Sequence, residues 1–281
     1  MQIYALTGFP PSNLRLEGQP KYSICITHFN DAPTVRKSLE SVLNQINADF
    51  EVVVVDNYSN DGSYEILKEF ADRGRIQLVR AKSTRGKGRQ IAFEHSRGKY
   101  IIANLDMDDI FKPRLLELLA RYHEVAEGKL LWAYSRMKGK AFWGGETFTI
   151  ITRELLQELG GWHDLQVFED RELCCRAAHR GKYCTGTFGL LESANPHTER
   201  VRSRIGRLRW KYIRYREVLR CGFPMQLWSK RETWKQKLIK VSMTVLVLPF
   251  YETYRDPFNY DFNSDDPKYF VGSLEPQRVE A

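Results

Sequence analysis

Short apolar stretches alternate with segments of helical period from Lys21 onward, and this alternation is the strongest restriction on the fold. Val35, Leu39 and Val42, for example, recur at the spacing of one helix face. Strands that alternate with helices through short connections are typical of a parallel sheet with helices on both faces. The stretches that predict strands in the first half of the chain are 22–27, 50–55, 76–79 and 100–105.

Polar residues follow three of these predicted strands. Thr27 and His28 end the first strand, Asp56 follows the second, and Asp106 follows the fourth. Right-handed crossovers bring the carboxyl ends of parallel strands to the same edge of a sheet. Ligands of open α/β sheets bind at that edge. We therefore expect these residues to converge on one cleft.

Asp106 and Asp108 form an Asp-x-Asp pair where the apolar run beginning at Tyr100 ends. Carboxylates at this spacing suit a hard divalent cation that also holds substrate phosphates. The competing interpretation is a solvated acidic turn, which is preferable for such a pair taken alone.

Three other polar segments carry candidate chemistry. Asp56 can accept a hydrogen bond from a base or a ribose hydroxyl, or it can serve as a helix N-cap or turn acid, a role that Asp61 and Ser63 can also fill. Residues 85–89, Arg-Gly-Lys-Gly-Arg, combine close backbone approach with cations that can meet phosphates. Glu169 and Asp170, beyond a glycine-rich turn at 160–164, can supply a general base or simply begin a helix.

The order of these motifs resembles that of the inverting family-2 glycosyltransferases with a GT-A fold. The motifs are Thr-His-Phe-Asn at 27–30, the strand end at Asp56, the basic segment at 85–89, Asp-Met-Asp at 106–108, and Gly-Gly-Trp-His-Asp followed by Glu-Asp at 169–170. The resemblance covers about residues 21–181. It implies an α/β GT-A fold with a mostly parallel, Rossmann-like sheet flanked by helices. It also implies transfer of a sugar from a nucleotide-diphosphate sugar, most often a UDP-sugar, to an acceptor hydroxyl.

The resemblance also implies residue roles. Thr27 and Asn30 match residues that line the nucleotide pocket, and Asp56 matches the acid that contacts the base. Asp106 and Asp108 match the pair that binds Mg²⁺ or Mn²⁺, with Asp106 also close to the ribose. Arg89 lies near a position where relatives have a cation close to the diphosphate. Asp170 matches the catalytic base, with Glu169 beside it.

The chain departs from the family pattern at several positions. His28 and Phe29 replace the more usual Thr/Ser-Tyr. Met107 replaces a small or polar residue, and we expect the Met107 side chain to point away from the site. Some GT-A enzymes add a histidine ligand to the metal, for which His197 is the best-placed candidate; a structural or surface histidine is the competing interpretation. The Arg-Leu-Arg-Trp segment at 207–210 lacks the glutamine of the processive synthases, which argues against a processive polymerase.

The charge of the chain is concentrated in one segment. Residues 199–240 contain 14 Lys and Arg against three acids, a net of +11, whereas the whole chain carries +8. Such a patch indicates an anionic partner, whether phospholipid, phosphorylated substrate or nucleic acid. The apolar stretch at 241–251 is shorter than the roughly 20 residues of a membrane-spanning helix, but next to the basic residues it suits peripheral contact with a membrane. Packing of 241–251 on the core is an equal alternative.

These features predict an organisation and a location. We expect an extension at 1–20, a GT-A glycosyltransferase domain at 21–198, and a basic, helical C-terminal region at 199–281 with an irregular tail. The five scattered cysteines and the absence of a secretory signal favour a cytoplasmic protein, peripheral on the cytoplasmic face of a membrane if the basic region binds lipid. The acceptor is then a saccharide or a lipid-linked glycan.

A second hypothesis belongs to another class of protein. A non-catalytic nucleotide-binding or nucleic-acid-binding protein on a GT-A-like scaffold would use the basic segment and its aromatic residues to grip a single strand. The carboxylates argue against nucleic acid as the partner, because a nucleic-acid binder gains nothing from them.

Overall fold

The computed structural model describes residues 19–134, 147–194, 204–220 and 267–274, together with Trp234, Leu238, Val241, Ser242 and Val245. The strands in these ranges are β1 (Tyr22–His28), β2 (Phe50–Asp56), β3 (Gln77–Arg80), β4 (Tyr100–Ala103), β5 (Asp109–Phe111), β6 (Leu130–Tyr134), β7 (Thr147–Thr152), β8 (Tyr183–Thr187), β9 (Leu191–Ala194) and β10 (Phe270–Ser273). The α-helices are α1 (Val35–Leu43), α2 (Ser63–Asp72), α3 (Arg85–His95), α4 (Leu115–Val125), α5 (Arg153–Glu158), α6 (Glu169–His179) and α7 (Arg204–Arg220).

Eight of these strands form one mostly parallel sheet in the order β10-β8-β6-β7-β4-β1-β2-β3. Strand β7 alone runs antiparallel to its neighbours β4 and β6 within the described sheet. Strands β5 and β9 form a separate antiparallel pair. The predicted α/β fold with a mostly parallel sheet is therefore confirmed.

Alternating side chains of the strands enter two hydrophobic cores, one on each face of the sheet. Val52 and Val54 pack with apolar residues of α1, α2 and α4, whereas Val53 and Val55 pack with those of α3, α5 and α6. Successive strand residues point to opposite faces, so a continuous valine run requires helices on both. This is why the run in β2 predicts a buried central strand.

The starts of two helices differ from expectation. The sequence pattern predicts a helix around residues 90–95, but α3 begins at Arg85. The Arg-Gly-Lys-Gly-Arg segment is therefore its first turn, capped by Thr84, whose hydroxyl accepts from the Lys87 amide. The sequence also offers Asp31 as the N-cap of the first helix. In the structure Thr34 precedes α1, and Asp31 acts through its backbone carbonyl, which accepts from the Thr34 and Val35 amides. In both cases a threonine directly precedes the first helical residue.

The C-terminal region contributes to the main sheet. The expectation of a wholly irregular tail is wrong, because Pro267–Tyr269 form a 3₁₀ turn and β10 pairs in parallel with β8. Leu274 is buried in the core and its amide donates to the carbonyl of Thr187. Burial of one leucine and pairing with an open sheet edge outweigh the polar composition of the surrounding sequence. Helix α7 confirms that the basic segment is helical over 204–220.

None of the helices in the described ranges is long and apolar enough to cross a membrane.

Candidate active site

The carboxyl ends of β4, β1 and β2 lie side by side in the sheet. Thr27 belongs to β1, Asp56 ends β2, and Asp106 lies three residues beyond β4. His28 and Asp56 are partners in the register of β1 and β2. The predicted convergence of these residues at one edge follows from this strand order.

Asp56 is a buried acid, and only one of its two carboxylate oxygens has a partner among the described residues. Its side chain is 0% exposed. Oδ2 accepts from the Ser59 amide at 3.1 Å and lies 3.4 Å from Nε of Arg80. Among the described residues Oδ1 has no hydrogen-bond partner. A buried, unpaired acceptor is costly, so Oδ1 is suited to receive a donor from a ligand.

Arg80 is held in place by aromatic rings. Its guanidinium carbon lies 3.9 Å from the centroid of the Tyr64 ring and 4.9 Å from that of Tyr58. Its Nη2 donates to the carbonyl of Ser59 at 3.1 Å. These contacts fix the cation that pairs with Asp56, a role that the sequence analysis missed. The sequence did contain a signal for this pair, because Arg80 ends β3 and Asp56 ends the neighbouring strand β2.

Asn30 ties together the loops that follow β1 and β2. Its Oδ1 accepts from the Asn60 amide at 2.9 Å, and its own amide donates to Oγ of Ser59 at 3.0 Å. Its φ of 56° is a left-handed conformation that asparagine tolerates better than most residues. Asn30 therefore shapes the rim beside Asp56.

Arg89 is buried in α3 and binds both acids at the start of α6. Its Nη1 donates to Oε1 of Glu169 and lies 2.9 Å from Oδ2 of Asp170. Burial by itself would lower the pKa of Arg89, but the charges of Asp170, Glu169 and Asp106 together raise it. Arg89 is therefore a permanent cation that pairs with both acids of α6, and the charge of Asp106 also acts on it.

Asp170 is the more accessible of the two acids. Its side chain is 20% exposed, against 5% for Glu169. Burial, opposed by the charge of Arg89 and reinforced by those of Glu169 and Asp106, raises the pKa of Asp170 to about 7. A carboxylate with a pKa near neutrality is suited to general-base work.

The two glycines in the first turn of α3 allow close packing with neighbouring protein segments. A Cβ on Gly86 would overlap the carbonyl oxygen of His163, and the Gly86 amide donates to the carbonyl of Leu165 at 2.9 Å. A Cβ on Gly88 would lie 2.8 Å from Cγ2 of Thr27. The glycines thus bring the turn before α6, and the end of β1, against α3.

Glu172 and Arg176 form a buried ion pair that holds the glycine-rich turn. Arg176 donates to the two carboxylate oxygens of Glu172 at 2.8 and 2.6 Å, and to the carbonyls of Leu159 and, at 2.8 Å, Gly161. Burial would raise the pKa of Glu172, but His163 and Arg176 lower it. The sequence analysis did not identify Arg176, although its i,i+4 spacing from Glu172 was a signal.

The Asp-x-Asp segment is anchored by the residue between its acids. Met107 is buried in the hydrophobic core and points away from the site, as expected, while Asp106 and Asp108 are partly exposed. In the described part of the chain, no three His, Cys, Asp or Glu residues are arranged as a metal site. His197 lies outside the described residues, so its role as a ligand stays a prediction.

Helix α7 contacts the loop that leads into α6. Oε2 of Glu217, a fully buried acid, accepts from the Gln166 amide at 3.2 Å. The Arg214 guanidinium lies 5.6 Å from the ring centroid of Phe168, which has a φ of 68°. The basic helix is thereby joined to the segment immediately before Glu169.

The sequence profile of glycosyl transferase family 2 matches residues 23–166, just over half of the chain. The chain belongs to this family. The matched residues include Thr27, Asp56, Arg89 and both acids of the Asp-x-Asp pair. The match ends before Glu169, so the roles of the α6 acids rest on the geometry above and on the resemblance.

Among curated proteins, an uncharacterized glycosyltransferase of Methanocaldococcus jannaschii is 36% identical over 111 residues, which are 38% of this chain and 38% of that protein. Among solved structures, the mannosyltransferase PcManGT from Pyrobaculum calidifontis, in complex with GDP-Man and Mn²⁺, has a TM-score of 0.55 at 18% identity and covers 82% of this chain and 71% of its own. S. aureus TarS in complex with UDP-GlcNAc has a TM-score of 0.54 at 16% identity, with coverages of 81% and 71%. These similarities show the GT-A type of fold.

Proposed function

We propose that this family-2 glycosyltransferase is an inverting, metal-dependent enzyme that moves a sugar from a nucleotide-diphosphate sugar, a UDP-sugar by preference, to an acceptor hydroxyl. The observation that carries the proposal is the placement of Asp170. It is a partly exposed acid whose pKa is raised to about 7, bound to the buried Arg89 next to the end of the sheet.

Asp170 acts as the general base in this mechanism. It takes the proton of the acceptor hydroxyl as that oxygen attacks the anomeric carbon from the face opposite the leaving diphosphate. The stereochemistry at that carbon is then inverted. Arg89 contacts both acids, but Glu169 is 5% exposed and Asp170 is 20% exposed, so Asp170 is the acid that can reach the acceptor.

The donor set of the Asp-x-Asp segment fits Mg²⁺ or Mn²⁺. These ions need only one or two protein carboxylates when substrate phosphates and water complete their coordination, and Asp106 and Asp108 supply two. Solved structures of the same fold contain Mn²⁺. The ion would be held chiefly by Asp108, and it would supply positive charge to the leaving diphosphate.

The remaining site residues bind and orient the donor. Asp56 offers Oδ1 to the base, and Thr27 and Asn30 line the nucleotide pocket. Asp106 would contact the ribose and help to hold the metal. Contact of Arg89 with the diphosphate stays a prediction, since its guanidinium is already engaged by Glu169 and Asp170.

Calorimetric titration of the full chain with UDP and GDP, with and without Mn²⁺, tests this function. We expect Mn²⁺-dependent binding that Asp108→Ala abolishes and that Asp72→Ala, a matched acid on the outer surface of α2, leaves unchanged. Binding of neither nucleotide to the wild type would contradict the proposed donor. Binding that is insensitive to Mn²⁺ and to Asp108→Ala would contradict the metal role.

A membrane surface is the proposed location of the acceptor. Trp234, Leu238, Val241 and Val245 are helical residues at the spacing of one helix face, and they are 69%, 58%, 43% and 59% exposed. An exposed apolar face within a basic segment suits the interface of an anionic bilayer. Exposure of Val241 and Val245 disfavours the alternative that the stretch 241–251 packs on the core.

Sedimentation with vesicles tests the membrane proposal. We expect binding to vesicles of phosphatidylcholine mixed with phosphatidylglycerol, and loss of that binding in the double variant Trp234→Ser/Leu238→Ser. Equal binding of wild type and variant would contradict a role for this face. Equally strong binding to vesicles of pure phosphatidylcholine would contradict the role of charge.

A further inference from the structure

His28, the last residue of β1, is a buried histidine whose ring nitrogens have no hydrogen-bond partner in the described part of the chain. It is 3% exposed, and neither Nδ1 nor Nε2 has a hydrogen-bond partner there. The backbone of His28 is engaged, since its carbonyl accepts from the Asn57 amide at 2.9 Å. Leaving a buried ring unpaired in this way costs stability, so a partner from outside the protein is expected.

A second unpaired polar group lies on the adjacent strand. Asp56 is the partner of His28 in the parallel register of β1 and β2, and its Oδ1 is also buried and unpaired among the described residues. Side chains of register partners project to the same face of a sheet. The charge of Asp56 also acts on the His28 ring. Two orphaned polar groups therefore lie side by side at the ligand-binding edge.

The ring of His28 is neutral near pH 7. Burial lowers its pKa, against the opposing charges of Asp56 and Asp61. A neutral imidazole has one N–H donor and one acceptor nitrogen. The ring N–H of His28 and Oδ1 of Asp56 therefore offer a ligand one donor and one acceptor next to each other.

We propose that His28 is a specificity-determining residue for the nucleobase, donating its ring N–H to the carbonyl oxygen next to the N–H that Asp56 accepts. The proposal rests on the nucleotide-sugar function above and extends it. The edge of uracil carries this pair, the N3–H group beside a carbonyl. A cytosine ring in the position of uracil would turn N3, which is itself an acceptor, toward the Asp56 carboxylate without a proton between them.

The second carboxylate oxygen of Asp56 explains why the site would prefer uracil to guanine. Guanine presents two adjacent donors, N1–H and the N2 amino group, which a carboxylate satisfies with both oxygens. Oδ2 of Asp56 already accepts from the Ser59 amide and pairs with Arg80. Only Oδ1 remains, so guanine would leave a donor unpaired and uracil would not.

The test is calorimetric titration of the full chain with UDP, CDP and GDP in the presence of Mn²⁺. Wild type is expected to bind UDP at least about tenfold more tightly than CDP or GDP, the effect of about one buried hydrogen bond. His28→Leu should lose about tenfold in UDP affinity and bind CDP as before, whereas His28→Gln, which keeps a donor, should retain most of the preference. His123→Leu, a histidine bonded to Tyr22 at the other end of β1, is the matched control and should leave all three affinities unchanged.

Two further measurements make the result independent of how the variants fold. The first uses wild type alone: sulfur in place of either carbonyl oxygen, in 2-thio-UDP and 4-thio-UDP, should weaken binding for the oxygen that faces His28. The second is thermal unfolding. Leucine removes two unpaired buried nitrogens, so His28→Leu should unfold at the same temperature as wild type or higher.

The outcomes separate this inference from the function on which it rests. UDP binding that is unchanged in His28→Leu, or equal for UDP and both thio analogues, overturns the role of His28 and leaves the glycosyltransferase proposal standing. A wild type that prefers GDP or CDP overturns the reading of the base by Asp56 and His28. A wild type that binds none of the nucleotides overturns both proposals.

Discussion

The guanidinium of Arg89 lies 2.9 Å from the carboxylate of Asp170, and this pair joins α3 to α6 at the carboxyl edge of the sheet. The same nitrogen also donates to Glu169. One buried cation thus holds two acids close together. Their shared position explains how Asp170 can be both partly exposed and shifted in pKa.

Asp170→Asn should abolish transfer while leaving donor binding intact. The amide keeps the shape of the side chain but cannot take a proton, and loss of a general base lowers the rate by about 10² to 10⁴-fold. Steady-state kinetics with a UDP-sugar and calorimetry with UDP measure the two effects. Asp164→Asn, at an exposed acid that accepts from the Thr84 hydroxyl, is the control, and full turnover by Asp170→Asn would refute the base assignment.

Activity should depend on pH through Asp170. The acid must be deprotonated to accept a proton, so kcat/KM should rise with pH and level off above its pKa of about 7. Glu169 raises that pKa, so Glu169→Gln should shift the rising limb to lower pH. A pH–rate profile of both proteins checks this, and an unshifted limb in Glu169→Gln would mean that another group controls the rate.

Arg176→Met should destabilise the protein by about 3 to 5 kcal/mol, because it leaves the buried carboxylate of Glu172 without its cation. The side chains of Arg176 and Glu172 are 4% and 2% exposed, so water cannot replace the lost partner. Urea unfolding measures the change. The double variant Glu172→Leu/Arg176→Met should recover part of the loss, and a single variant as stable as wild type would refute the importance of the pair.

Gly86→Ala should lower both stability and activity. A methyl group there overlaps the backbone carbonyl of His163, which has to move, and with it the turn that precedes α6. Thermal unfolding and turnover should fall together. Gly128→Ala is the control: its φ of 78° imposes some strain, but nothing lies within 4 Å of the added carbon, so only stability should fall. Unchanged turnover in Gly86→Ala would show that the contact does not position α6.

The strand order around the site could be anticipated because each central strand carries its own local signal. The valine run of β2 is buried on both faces, which only a sheet between two helical layers allows. Asp56 and Asp106 follow such runs directly, so their shared edge follows from the handedness of the crossovers. Strands β5, β8 and β10 carried no such signal, being short or polar, and they exist because a neighbouring strand offers an edge.

The sequence by itself determined the alternation of strands and helices, the position of the acids at the strand ends, and hence the fold and the family. These depend on local periodicity, which is written in consecutive residues. Only the tertiary structure decided which charges meet. Arg89 and Asp170 are 81 positions apart in the sequence, and Gly86 supports their contact because it lets α3 approach the turn before α6. The same holds for His28 and Asp56. The packing around them leaves their polar groups unpaired among the described residues, and this packing cannot be predicted from the pattern of residues along the chain.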